Sequence, residues 1–163
     1  LADRGHRALQ DKNLHGALEL YRYSEAHDGP KIDHHLKVTN IRLLFRALGL
    51  SDWTSERMLY ERERKSFCPD GVINVRGNKI AIEFENGLKW KRRYVNRFAT
   101  YADLSNEYMF VIYVVAGDVR EWLVDLEYKK SQICFVEYNY LMQNKEKSKL
   151  ENKTSGFVLA EIL

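Results

Sequence analysis

A mixed α/β fold, one sheet with helices on its faces, is what three observations in this sequence predict. Two β-rich runs, Gly71–Arg76 and Lys79–Glu85, flank Gly77-Asn78, a pair suited to a tight hairpin turn. "YMFVIYVV", Tyr108–Val115, is apolar throughout, as a central strand covered on both faces must be. Val119, Trp122, Leu123 and Leu126 then recur at i, i+3, i+4 and i+7, the period of an amphipathic helix. Strands interleaved with helices in this order make an α/β or α+β sheet.

The remaining elements follow in chain order. From Leu1 to about Pro30 the sequence is polar and broken, with helical stretches around His6–Gln10 and Leu14–Tyr23, and His27-Asp28-Gly29-Pro30 reads as a linker. The expected division is therefore 1–30 and 31–163. Asp33 is placed to cap a helix ending at Ala47, with Leu36, Ile41, Leu44, Phe45 and Leu48 as its apolar stripe and Gly49 as its stop. Trp53–Tyr60 fits a strand and a short helix equally well. After the hairpin, Leu88 to about Leu104 reads as a helix and Gln132–Tyr138 as a strand. Gln143–Ser155, polar and lysine-rich, reads as a mobile loop before a last apolar run, Phe157–Leu163.

A chain of 163 residues suits one packed domain with an appendage. No apolar run approaches the ~20 residues of a membrane helix, and no signal peptide is visible. Cys68 and Cys134 stand in no metal or redox spacing, which fits reduced thiols in a cytoplasmic protein. The net charge of +3 is too small to define a polyanionic partner, so the distribution of charge carries more weight. A start at Leu1 rather than methionine leads us to expect a preceding segment.

The hairpin holds the least ordinary chemistry. Centring its turn on Gly77-Asn78 sets Val75 opposite Ile80, Ile73 opposite Ile82, Val72 opposite Glu83 and Asp70 opposite Glu85. Strand alternation then gives one face Ile73, Val75, Ile80, Ile82 and Phe84, and the other Asp70, Val72, Asn74, Ala81, Glu83 and Glu85. Opposed Cβ atoms lie ~5 Å apart and diagonal ones ~7–8 Å, so three acids converge. Like charges that close need a cation, basic side chains or raised pKa values. Hard divalent ions such as Mg²⁺ take one or two carboxylates with waters and phosphate oxygens. The plainer reading is a solvated strand face whose acids pair with nearby Lys and Arg.

Five cations follow: Lys89, Lys91, Arg92, Arg93 and Arg97. Lys89, Arg93 and Arg97 repeat at i, i+4 and i+8 and would share one helix face, a stripe suited to a phosphate backbone or to neutralising the acids. Trp90 heads this segment, where an aromatic usually docks a helix on a sheet and otherwise stacks on a base. Arg62, Arg64 and Lys65, interleaved with glutamates, look like ordinary surface. His27, His34 and His35 lack a fourth ligand at recognisable spacing, Cys68 lacks an activating histidine, and Trp53 and Trp122 read as core.

Pro69-Asp70 followed on the next strand by Glu83-Phe84-Glu85 resembles the PD-(D/E)XK nuclease superfamily over about residues 32–138. The resemblance implies a restriction-endonuclease-like αβββαβ core, a mixed central sheet flanked by helices. A closer likeness is to the replication-relaxation family of plasmids and integrative elements. It rests on the spacing of "DHHLKVTNIR", "SERML", "PDGVI", "IAIEFE" and "KRRYVNRFATY". "LADRGHRAL" resembles the tail of the winged-helix DNA-binding domain that precedes such domains.

By this resemblance Asp70 and Glu83 would be metal ligands for Mg²⁺ or Mn²⁺, with Glu56 as an extra acid. Asp70, Glu83, Glu85 and Lys89 would be catalytic, and Lys89, Lys91, Arg92, Arg93 and Arg97 would bind DNA. Glu85 stands where the superfamily has lysine. Some restriction endonucleases carry Glu there and remain active, while Lys89 or Lys91 would supply the displaced positive charge. The implied function is a DNA-processing domain of a mobile element, a metal-dependent endonuclease. The alternative is an inactive nuclease-like fold that binds DNA or protein partners of replication and transfer. A third reading, from the apolar run at Phe157–Leu163, is an oligomerisation domain, such as a homodimer.

Overall fold

A computed structural model of the chain describes residues 29–63, 67–87, 89–117, 119–126, 132–152 and 155–163. The expected helices at His6–Gln10 and Leu14–Tyr23, and the cations Arg64 and Lys65, lie outside these residues. The chain divides into two compact units, Leu1–Lys37 and Val38–Leu163. Helix α1, Gly29–Ala47, runs through the boundary between them. It starts at Gly29-Pro30 rather than at Asp33, because proline fixes a helical φ and its missing N–H costs nothing in a first turn. Asp33 is consequently not the cap. It lies inside the helix and pairs with Lys37 at 3.5 Å.

The second unit is built on one sheet of seven strands in chain order. Strand β1, Trp53–Ser55, passes directly into helix α2, Glu56–Glu63, so the segment that fitted either element contains both. Strands β2, Gly71–Val75, and β3, Asn78–Glu85, complete an antiparallel meander with β1. Helix α3, Lys91–Asp103, then crosses to β4, Phe110–Val115, which runs parallel to β3. Helix α4, Val119–Leu126, leads to β5, Ile133–Glu137, parallel to β4. Helix α5, Tyr138–Asn144, follows, then strands β6, Lys149–Glu151, and β7, Gly156–Val158, and the terminal helix α6, Leu159–Ile162. Strands β6 and β7 return to the sheet antiparallel. Among the described residues no helix is long and apolar enough to cross a membrane.

The hairpin register differs from the expected one by two residues. Ile73 pairs with Ile80 and Val75 with Asn78, so Arg76-Gly77 forms the turn. Both turn residues have positive φ, 51° and 86°, the left-handed pair that matches the twist of a two-residue hairpin. A shift of two leaves every side chain on its predicted face.

The two faces carry two cores. One holds Ile73, Val75, Ile80, Ile82, Phe84, Ile112, Val114, Cys134 and Val136, covered by Ile41, Leu44 and Phe45 of α1, Leu141 of α5, and Leu159 and Ile162 of α6. The other holds Val72, Ala81, Val111, Tyr113, Val115, Ile133 and Phe135, covered by Tyr94, Phe98 and Tyr101 of α3 and by Val119 and Leu123 of α4. Coverage on both sides is why β4 is apolar at every position. It also corrects the expectation of a solvated or open acidic face: Glu83 and Glu85 lie beneath α3, only 4% and 6% exposed.

One further expectation is revised. Gln143–Ser155 is not wholly a loop: buried Leu150 anchors β6, which pairs with β5 on one side and β7 on the other, and a 3₁₀ turn at Lys145–Lys147 leads into it. The apolar run Phe157–Leu163 passes from β7 through α6. Leu159 and Ile162 are buried, and Phe157 packs edge-on against Phe110 at 5.7 Å. Trp53 and Trp122 pack half-buried against the two cores.

Gly71 is required for a close approach, because a Cβ there would fall inside the indole of Trp53 on β1. Gly71→Ala should destabilise the domain by roughly 1–3 kcal/mol through overpacking. Gly77→Ala should cost about 1–2 kcal/mol through its positive φ. Urea unfolding of both variants measures this, and an unchanged midpoint for Gly71→Ala would refute the packing of β1 on β2.

Candidate functional site

The β2–β3 pairing runs out just where Asp70 and Glu83 stand. The last paired residues are Gly71 and Ile82. Beyond them the N–H of Phe84 donates instead to Oδ2 of Asp70 at 2.7 Å, so a side chain continues the ladder. The backbone carbonyl of Asp70 also accepts the N–H of Glu56 at 3.3 Å, tying it to the junction of β1 and α2. Alternation along β3 then turns Glu83 and Glu85 toward α3.

Glu83 is enclosed. Its Oε1 accepts Nε of Arg97 at 2.9 Å, Nη2 of Arg97 at 2.6 Å, and the hydroxyl of Tyr101. Arg97 and Tyr101 are four residues apart, hence neighbours on one face of α3. Nη2 of Arg97 also donates to the Cys68 carbonyl at 3.1 Å, and the guanidinium lies 4.8 Å from the centre of the Phe67 ring. Burial pushes the Glu83 carboxyl up to about 7; Asp70 adds to the rise, while Arg97 and Tyr101 oppose it. Burial alone would lower the pKa of Arg97, but Glu83 more than reverses that and keeps the guanidinium charged. Tyr113, beside Glu83 in the β3–β4 register, has a buried hydroxyl with no hydrogen-bond partner among the described residues.

Glu85 sits at the rim. Nζ of Lys89 reaches both of its oxygens, at 2.8 and 2.9 Å. Tyr94 closes the segment between them: its hydroxyl accepts the Lys89 N–H and donates to the Gly87 carbonyl, each at 3.2 Å. Burial and the nearby Glu85 charge raise the Tyr94 pKa.

The expected helix stripe is split. Lys89 precedes α3 and turns to Glu85, Arg97 turns inward to Glu83, and Lys91, Arg92 and Arg93 remain exposed. Trp90 does not dock the helix; it is 88% exposed. Glu56 is exposed at the start of α2. Among the described residues no group of three or more His, Cys, Asp or Glu converges to hold a metal ion. Sequence reasoning missed Tyr101, Tyr94 and Tyr113 as site residues. For Tyr101 a signal existed, its i+4 spacing from Arg97. Tyr113 entered through a register that no local pattern encodes.

No family model matches the chain, and no curated protein and no solved structure matches it.

Removing Arg97 would leave Glu83 buried without its cation, and Arg97→Ala should cost about 3–5 kcal/mol. Between 4.5 and about 7 the folded chain holds a proton on Glu83 that the unfolded chain releases. The Glu83 contribution to stability is therefore full below pH 4.5 and lost as pH rises through about 7. Denaturation at several pH values, compared with Glu83→Gln, should show the wild type losing stability relative to the variant over this window. A constant difference would refute the assignment.

Proposed function

We propose that this chain is the nuclease-like domain of a DNA-processing protein from a plasmid or integrative element, acting on phosphodiester bonds with a divalent cation. The carrying observation is the bond from Phe84 N–H to Asp70 Oδ2, which joins the two halves of the acidic motif across neighbouring strands. The element order supports the same reading. Helix α1, the meander β1–β3, crossover helix α3 and parallel strand β4 run in the αβββαβ order of the PD-(D/E)XK superfamily, with α2 inserted.

The donor set suits Mg²⁺ or Mn²⁺. Asp70 and Glu83 offer hard carboxylate oxygens, and a pair is enough for an ion that keeps several waters. The three protein donors to Glu83 all fall on Oε1, so Oε2 takes none of those bonds. Asp70 and Glu83 would hold the cation, which would polarise the phosphate and acidify a bound water. Lys89, held on Glu85, carries the positive charge that the motif's usual lysine would supply. Lys91, Arg92 and Arg93 would hold the flanking backbone, giving affinity without base specificity.

The second reading, a non-cutting DNA-binding or protein-interaction module, is favoured by the charge balance: Arg97 and Lys89 already neutralise Glu83 and Glu85.

Supercoiled and single-stranded DNA, incubated with and without Mg²⁺ or Mn²⁺, separate the two. Cleavage should need the metal and disappear in Asp70→Asn and Glu83→Gln. Mn²⁺ binding by calorimetry should tighten as pH rises through about 7, since the proton on Glu83 competes with the ion. Salt-sensitive DNA binding with no cleavage under any condition would replace the enzyme reading with the binding one.

A further inference from the structure

We infer that Trp90 with Lys91, Arg92 and Arg93 forms a binding platform for single-stranded nucleic acid, an unpaired base stacking on the indole and the adjoining phosphates meeting the three cations. This deepens the DNA-processing reading and rests on it for the presence of a nucleic acid at this end of α3.

The observation that carries it is the way "KWKRR" divides. Lys89 is held on Glu85, and farther along α3 Arg97 is enclosed against Glu83. Between them Lys91, Arg92 and Arg93 are all exposed, and no carboxylate among the described residues pairs with them. The first turn of α3 contains no acid. Three cations there face the positive end of the helix, an arrangement that opposes folding rather than aiding it. An approaching polyanion reverses that sign.

Trp90 is the most exposed of the large apolar side chains among the described residues, at 88%. Its extended backbone, φ −61° and ψ 132°, holds it just ahead of α3, and its side chain makes no capping bond. An indole is among the largest apolar surfaces a chain can bury, so one left in water contributes nothing to this core. Beside three cations it offers a π-face and an electrostatic anchor together, the pairing that sequence-tolerant single-strand binders use. Duplex bases hide their faces in the stack, so the indole discriminates by strand state. A membrane surface would meet the cations too, but this patch has a single apolar side chain to insert among charged neighbours, too little for stable anchoring.

Fluorescence anisotropy on the full chain tests this, using labelled single-stranded DNA and RNA oligonucleotides and the DNA duplex of the same sequence. Trp90→Ala should weaken single-strand binding about tenfold and duplex binding less than about twofold, with Trp90→Phe restoring part of the loss. Replacing Lys91, Arg92 and Arg93 by Ala should weaken both and flatten the salt dependence. Equal affinity of the two single strands would assign recognition to base and phosphate, and tighter RNA binding would add the 2′-hydroxyl. An unchanged single-strand affinity in Trp90→Ala, or an equal loss on duplex, overturns the inference while cation-dependent DNA binding keeps the parent reading. Trp90-dependent binding to phosphatidylserine vesicles without single-strand selectivity also overturns it. Absence of binding to every nucleic acid overturns both.

Discussion

A carboxylate enclosed between a sheet and a helix governs this domain. Moving an ion from water into a protein interior costs several kcal/mol, so Glu83 can be held there only with partners of good geometry. Arg97 and Tyr101 supply them from successive turns of α3. That requirement sets the rotation of α3 on the sheet and so brings Tyr94 and Phe98 down onto the second core. The same helix is the connection that returns the chain as β4 parallel to β3. Through the Cys68 carbonyl, Arg97 also anchors the segment leading into Asp70 and β2.

The surroundings of Glu83 are aromatic as well as charged. Tyr101 packs edge-on against Tyr108 and Tyr113, and Phe98 against Tyr113 and Phe135. Such pairs pack the surroundings of the carboxylate and bring the Tyr101 hydroxyl onto it. From there the charge runs outward in steps. Glu83 is closed off, Glu85 sits at the rim with a half-exposed Lys89, and Lys91, Arg92 and Arg93 stand in solvent beside Trp90. One short stretch of chain therefore supplies interior neutralisation, a rim pair and an outer basic surface. Residues that look interchangeable in a basic run have three different physical situations.

Which residues lie on the same face was legible from alternation alone. Ile73, Val75, Ile80, Ile82 and Phe84 share one core, and the acids share the other side, even though the register shifted by two. The unbroken apolar run of β4 announced two covered faces, and the spacing of Val119 and Leu123 announced the helix that helps to cover one. The pairing of Asp70 with the β3 backbone was half visible, since the motif placed it next to Glu83 but could not say that the bond would go to Phe84 N–H.

Other features depended on contacts between distant segments. The turn lies at Arg76-Gly77 because the pairing of Ile73 with Ile80 and Val75 with Asn78 leaves those two residues to close it, whereas composition alone rated Gly77-Asn78 as good. The cations of the basic segment parted because only the packed position of α3 decides which of them can reach an acid. Tyr113 met Glu83 through a parallel pairing thirty residues away along the chain, a long-range choice that no short pattern records. By itself, then, the sequence determined the alternation of faces, the helical stripes and the acidic and basic segments, because each is a local period or composition. Tertiary structure alone decided the burial of Glu83, its pairing with Arg97 and the exposure of Trp90, because those depend on where α3 settles on the sheet.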